Sequence, residues 1–193
     1  MKTLVSATLL SLFVLVLVGT GIAQSNPPVQ IATPPSYANV GIAFMNTTGN
    51  PGLGGVSAFG GLRYKSVELV GEFDAGANNI NFPDTITKAK LRQQDYLFGP
   101  RVYFARVFSN PRFTPFAQLL FGMSHQSADI TGVSAGSSSD TAYAWDFGGG
   151  VDYRFSKHWA ARGRASAVRT HFTDDNQTHL RWGGGIVYLF TRH

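Results

Sequence analysis

Apolar and polar positions alternate along most of this chain with a period of two. The pattern is clearest at residues 180–190, which read LRWGGGIVYLF. Leu180, Trp182, Gly184, Ile186, Tyr188 and Phe190 share one face, and Arg181, Gly183, Gly185, Val187 and Leu189 share the other. Such a period marks a strand whose two faces meet different surroundings. Tyr188 and Phe190 fall at the end of the stretch, where an interfacial aromatic belt belongs. A tilted strand crosses a bilayer in about 9–11 residues. The stretch is therefore read as the closing strand of a transmembrane β-barrel.

Seven earlier segments carry the same signal. Residues 37–45 align Val40, Ile42 and Phe44, and residues 56–64 align Val56, Ala58, Leu62 and Tyr64. Residues 67–74 set Val67, Leu69 and Phe73 against Glu68, Glu72 and Asp74. Residues 96–106 point Tyr96, Phe98, Val102 and Phe104 outward and Arg101 inward. In residues 113–123, Ala117, Leu119, Phe121 and Met123 oppose Gln118 and Gly122. Residues 142–155 set Tyr143, Trp145, Phe147, Val151, Tyr153 and Phe155 against Asp146, Gly148, Gly150, Asp152 and Arg154. Residues 159–171 place Arg162, Arg164 and Ser166 inward. The fold expected is all-β, an eight-stranded antiparallel transmembrane barrel with up-and-down topology. Long Gly-, Ser-, Asn- and Asp-rich connections at 46–55, 75–95 and 124–141 alternate with short ones at 65–66, 108–112 and 156–158. That is the arrangement of long outer loops and short periplasmic turns. Pro100 and Pro115 are awkward in a closed sheet and are expected to mark a bulge or a strand end.

Charge placement decides which face is inside. The inner face carries Arg63, Arg101, Arg154, Arg162, Arg164 and Arg181 with Glu68, Glu72, Asp74, Asp146 and Asp152. Asp84, Asp95, Asp129, Asp140, Asp174 and Asp175 fall in loops or at strand ends, and only Arg106 and Arg169 point outward, both near strand ends. Charge is thus absent mid-strand on the lipid face, where it costs about 2–4 kcal/mol. A soluble β-sandwich shares the period of two, but it would hide the aromatic face and expose the charged one. An eight-stranded barrel is filled by its own side chains. The interior charges are expected to pair into a lumen network, with Gly148, Gly150, Gly183 and Gly185 making room for the arginine heads. Tyr96, Trp145, Tyr153, Phe155, Trp159, Trp182, Tyr188 and Phe190 are the expected membrane-interface aromatics.

Composition sharpens the picture at a few points. The chain has 193 residues, 14% charged and 13% aromatic, with 22 glycines and no cysteine. One domain, no disulfide and no thiolate site follow. The formal charge of +5 is scattered and forms no basic stripe, which argues against nucleic acid as a partner. Lys2, the apolar run 4–18, and small residues Gly21 and Ala23 form a signal peptide over 1–23, with cleavage near Ala23. A Pro-rich periplasmic leader then occupies 24–36, the barrel 37–190 and a short tail 191–193. His125-Gln126-Ser127, with Asp140 on the next strand, contains the residue types of an acyl hydrolase, but no oxyanion donor accompanies it. His158, His171, His179 and His193 are dispersed, so no metal and no cofactor is inferred. The GGG runs at 148–150 and 183–185 sit inside strands and open no phosphate-binding helix.

The segment WDFGGGVDYRFSKHWAAR (145–162) and the ending WGGGIVYLF resemble the small outer-membrane β-barrel family of Gram-negative bacteria, which is similar to the barrel domain of OmpA and opacity proteins. FGPR at 98–101 and PFAQLLFG at 115–122 are similar to it too. The resemblance spans roughly 37–190 and its motifs are architectural. It implies an outer-membrane location and contact with outer-membrane lipid and lipopolysaccharide. It also implies escort by periplasmic chaperones and insertion by the barrel assembly machinery, which reads the C-terminal aromatic strand. The tail after Phe190 departs from the pattern, and without a peptidoglycan-binding domain no wall-anchoring role is implied. The function expected is a non-enzymatic structural or envelope-integrity barrel that could form a narrow pore. The alternatives are a surface-loop adhesin, with loop 124–141 binding the ligand, and a lipid A deacylase-like hydrolase using His125 and Ser127.

Overall fold

The computed structural model describes residues 36–48, 52–81, 88–104, 107–108, 110–131, 136–171 and 176–191. The expected signal peptide, most of the leader, Arg192 and His193 lie outside them. Eight strands follow in chain order: β1 (Ser36–Thr47), β2 (Gly54–Tyr64), β3 (Val67–Asn81), β4 (Lys88–Tyr103), β5 (Phe113–Thr131), β6 (Gly136–Arg154), β7 (Trp159–His171) and β8 (Asn176–Thr191). Each pairs antiparallel with the next, and β1 closes the ring on β8, with Ile42 opposite Ile186. The up-and-down barrel read from the alternation is the fold observed.

The alternation sorts side chains inside out relative to a water-soluble core. Phe44 is 76% exposed, whereas Arg101 and Arg181 are 0% and 1% exposed. Ile42, Leu62, Leu69, Phe98, Tyr143, Trp145 and Ile186 are outward and exposed. Inside, Ala43, Phe59, Val70, Leu97, Leu120, Val168 and Val187 fill the space around the charges. From Leu180 to Phe190, steps of about 3.4 Å tilted by roughly 40° rise about 26 Å, close to the ~25 Å apolar band of a spanning barrel.

Strand ends differ from expectation. β4 begins at Lys88 and stops at Tyr103, rather than running from Tyr96 to Arg106. Ser36 and Thr191, assigned to leader and tail, are the end residues of β1 and β8. Most of 75–95 and 124–141, expected as loops, is hydrogen-bonded ladder: Asp74 to Asn81 pair with Asp95 to Lys88, and Met123 to Ile130 pair with Tyr143 to Gly136. Above the apolar band both faces meet a polar medium, so alternation disappears while backbone pairing continues. The nine-residue connection 104–112 also exceeds the stretches left between strands at the other end, so the asymmetry lies in strand length. β2 begins opposite Ala77 and β7 ends opposite Tyr143, which leaves β3–β6 projecting above the rim as a four-stranded sheet. Leu53 folds back beneath that sheet. Its carbonyl accepts from the Thr47 amide at 2.8 Å, and its side chain is buried beside Met45 and Gly76.

Neither proline makes a bulge. Phe104 donates to Pro115 and Tyr103 to Ser66, so alternate residues of β4 face β5 and β3. Pro100 therefore turns its missing donor toward β5, where the ladder skips from Phe98–Phe121 to Arg101–Gln118 without a change of register. Pro115 lies near the start of β5, beyond the end of β4.

Gly148, Gly150, Gly183 and Gly185 do not make room for arginine heads, although Gly150 and Gly183 lie opposite Arg164 and Gly185 opposite Arg162. A Cβ on Gly183 or Gly185 would meet the Phe44 or Ile42 carbonyl at 2.2 or 2.0 Å. On Gly148 it would meet Ser166 and the Ala165 carbonyl, and on Gly150 the Gly163 carbonyl and the Phe116 ring. Close approach of neighbouring backbones fixes these positions. Among the glycines described, a charged head takes the space at Gly61, where the Glu68 carboxylate would stand 2.0 Å from a Cβ. Gly185→Val should lower barrel stability by about 1–3 kcal/mol through overpacking. Gly184→Val faces lipid with its nearest atom at 3.6 Å and should leave the urea midpoint unchanged.

Candidate functional site

The interior of the barrel is the candidate site, and strand register assembles it. Glu72 and Asp74 stand two residues apart on β3, hence on one face, with Asp95 of β4 opposite Asp74. Arg181 of β8 reaches across the lumen and hydrogen-bonds Asp74 through Nη1 and Asp95 through Nη2. Its Nη1 also lies 3.7 Å from Asp146 and 3.8 Å from Glu72. Arg164 adds contacts of 2.5 Å to Glu72 and 3.3 Å to Asp74. Ser166 donates to Asp146 at 2.8 Å, and Ser124 donates to Asp95 at 2.6 Å.

A second cluster lies nearer the end with the 65–66 and 155–158 connections, called here the turn end. Arg162 holds Asp152 through two bonds of 2.7 and 2.8 Å and donates to the Tyr103 hydroxyl at 2.9 Å. Arg101 donates to Gln118 Oε1 at 3.0 and 2.8 Å and stands 3.5 Å from Glu68. Both guanidiniums stack against the Phe59 and Phe116 rings, with centroid distances from 4.6 to 5.7 Å. Flat cations over aromatic faces are attracted by the ring quadrupole. Charges so buried persist only when paired and hydrogen-bonded.

The structure thus gathers Glu68, Glu72, Asp74, Arg101, Asp146, Asp152, Arg162, Arg164 and Arg181. It does not bring Arg63 or Arg154 into that network. Both are half-buried at the turn-end mouth, and among the described residues no carboxylate stands within ion-pair distance of either. Asp95 was missed, because the polar run Gln93-Gln94-Asp95 above the apolar alternation reads as loop. Extending the period of two back from Leu97 would have placed Asp95 inside. Phe59, Tyr103 and Phe116 were missed as interior stacking partners for a different reason: lipid-facing aromatics look the same in sequence.

The selected aromatics all lie outside the lumen, at two heights. Tyr96, Trp145 and Trp182 lie toward the loop end, with Trp145 edge-on to Phe121 at 4.8 Å and Tyr96 5.1 Å from Phe73. Tyr153, Phe155, Trp159, Tyr188 and Phe190 lie toward the turn end. Tyr188 is edge-on to Trp159 at 5.0 Å and to Phe190 at 4.9 Å, and Tyr153 stands 4.8 Å from Phe113.

His125, Ser127 and Asp140 do not converge. His125 and Ser127 face outward on β5, and the His125 Nδ1 is 2.9 Å from the Thr141 hydroxyl. Asp140 pairs with Gln126 on the opposite sheet face and accepts the Thr141 amide at 2.7 Å. A one-residue offset on a strand reverses the face, which separates the carboxylate from the His-x-Ser pair. Among the described residues no group of three or more potential ligands could hold a metal ion.

A family model described as outer membrane protein beta-barrel domain matches residues 10–190. Among solved structures, Ail, the attachment invasion locus protein of Yersinia pestis, is similar with a TM-score of 0.55 at 16% identity, over 79% of this chain and 96% of that one. Neisserial surface protein A is similar with a TM-score of 0.54 at 12% identity, again over 79% and 96%. These likenesses concern the fold. No curated protein matches the chain.

Proposed function

The chain belongs to the outer membrane protein β-barrel domain family, and on that premise we propose that it is a sealed structural barrel of a Gram-negative outer membrane, without enzymatic activity. The observation that carries this reading is the crossed interior network: Arg181 on β8 is bonded to carboxylates on β3 and β4, with Met45 and Leu53 packed above. Opening a path means separating several buried ion pairs at once. The signal peptide directs export and is cleaved near Ala23, the turn end faces the periplasm, and the projecting sheet faces outward. Periplasmic chaperones and the barrel assembly machinery deliver the chain through its β8 aromatics, into contact with outer-membrane lipid and lipopolysaccharide. Planar-bilayer recording tests the seal: the purified barrel should show no resolvable conductance, and reproducible single-channel steps would support the narrow pore instead.

A second reading, attachment through the projecting sheet, is favoured by the extension of β5 and β6 to Thr131 and Gly136. On that reading, deleting residues 131–139 should abolish adhesion while the folded barrel survives. Unchanged adhesion would count against it.

A further inference from the structure

We propose that the turn-end mouth of the barrel is an oxyanion-binding site formed by Arg63 and Arg154, with a phosphate-type group as ligand. The two arginines face inward at the turn end of the same narrow lumen, Arg63 from β2 and Arg154 from β6, and both are half-buried there. Arg63 is held in place: its Nε donates to the Lys65 carbonyl at 2.9 Å, and its guanidinium lies 4.0 Å over the Tyr103 ring. Tyr103 is itself fixed by Arg162, which is clamped on Asp152. This anchoring leaves both terminal nitrogens of Arg63 available. The Arg154 backbone amide donates to the Arg112 carbonyl at 2.8 Å, which fixes its strand at the rim.

The nearest acids are already engaged. Asp152 takes both bonds from Arg162, and Glu68, opposite Arg63 in register, turns toward Gly61 and Arg101. Exposed Lys65, Arg112 and Lys157 ring the mouth, and no further acid occurs among the described residues of this end. Lys65 holds a φ of 55°, a conformation that favours glycine or asparagine, so the turn itself does not call for lysine. A concave mouth lined by one sign of charge, with low-dielectric walls, concentrates counter-ions. Two planar guanidinium forks match the tetrahedral oxygens of a phosphate better than a halide. The phosphate arrives either as a soluble ion or on the headgroup of a neighbouring phospholipid; the chemistry at the arginines is the same. The inference takes only the compartment from the proposed location, so a barrel in another membrane would still bind at this mouth.

The test uses the full barrel refolded in micelles of a nonionic detergent that carries no phosphate, comparing its thermal midpoint in sodium phosphate and in sodium chloride at matched ionic strength. A soluble ligand predicts a midpoint that rises with the logarithm of phosphate concentration. A headgroup ligand predicts the rise on adding phosphatidylglycerol without phosphate. In either arm Arg63→Gln and Arg154→Gln should each remove most of the rise, and Lys157→Gln should leave most of it. Line broadening of the inorganic phosphate ³¹P signal by the wild-type barrel provides a readout that needs no variant. Equal midpoints and unbroadened lines in all arms would overturn the proposal, as would a rise that survives in both arginine variants.

Discussion

Arg181→Leu is expected to destabilise the barrel by about 3–5 kcal/mol, the largest effect of any single lumen substitution. Removing one partner of a buried ion pair costs that much because the other charge stays behind without compensation. Arg181 has four carboxylates around it, those of Asp74, Asp95, Asp146 and Glu72. Arg164 still faces Glu72 and Asp74, but among the described residues no second cation pairs with Asp95. Equilibrium urea unfolding in lipid vesicles reads the loss. Combining Arg181→Leu with Asp95→Asn should recover part of it, since the stranded charge is then absent. Arg169→Leu, exposed on β7, should stay within about 0.5 kcal/mol of wild type. A loss under about 1 kcal/mol for Arg181→Leu would mean that the carboxylates reach water by another route.

Ile42→Arg is expected to cost about 2–4 kcal/mol in a bilayer, because a cation near mid-height of the lipid face loses its hydration. Ile42 is 70% exposed and lies between the two aromatic levels, opposite Ile186 on the neighbouring strand. Asn46→Arg, on the same face but level with Trp182, should cost only about 0–1 kcal/mol, since it sits at the interface. The depth dependence is the informative part. A water-facing sheet would accept both arginines equally, and equal midpoints for the two variants would remove the lipid from the account.

Much of this fold is legible in the chain. A strand with lipid on one side and a packed lumen on the other must alternate, so residues such as Ile186 and Val187 announce their faces directly. The same logic placed Arg101, Arg162, Arg164 and Arg181 inside. Legibility ended where the alternation ended. The polar upper halves of β3 to β6 read as loops, since backbone hydrogen bonds leave no trace in side-chain pattern, and Asp95 was lost with them. The glycines were placed on the right face for the wrong reason: alternation puts Gly185 inside with the arginines, but only three-dimensional packing shows the Ile42 carbonyl filling the space. Asp140 shows the opposite failure. Its place on the next strand suggested an orienter for His125, and a single residue of strand parity put it across the sheet.

The measurement that reaches the central claim most directly is heat-modifiability of the mature chain refolded into detergent. A closed barrel sealed by its own ion pairs should run as a compact band on a denaturing gel when unheated and shift to its full apparent mass on boiling. A chain that reaches a folded, monomeric state in plain buffer, with no detergent and no such shift, would contradict the lipid-facing exterior on which the rest depends.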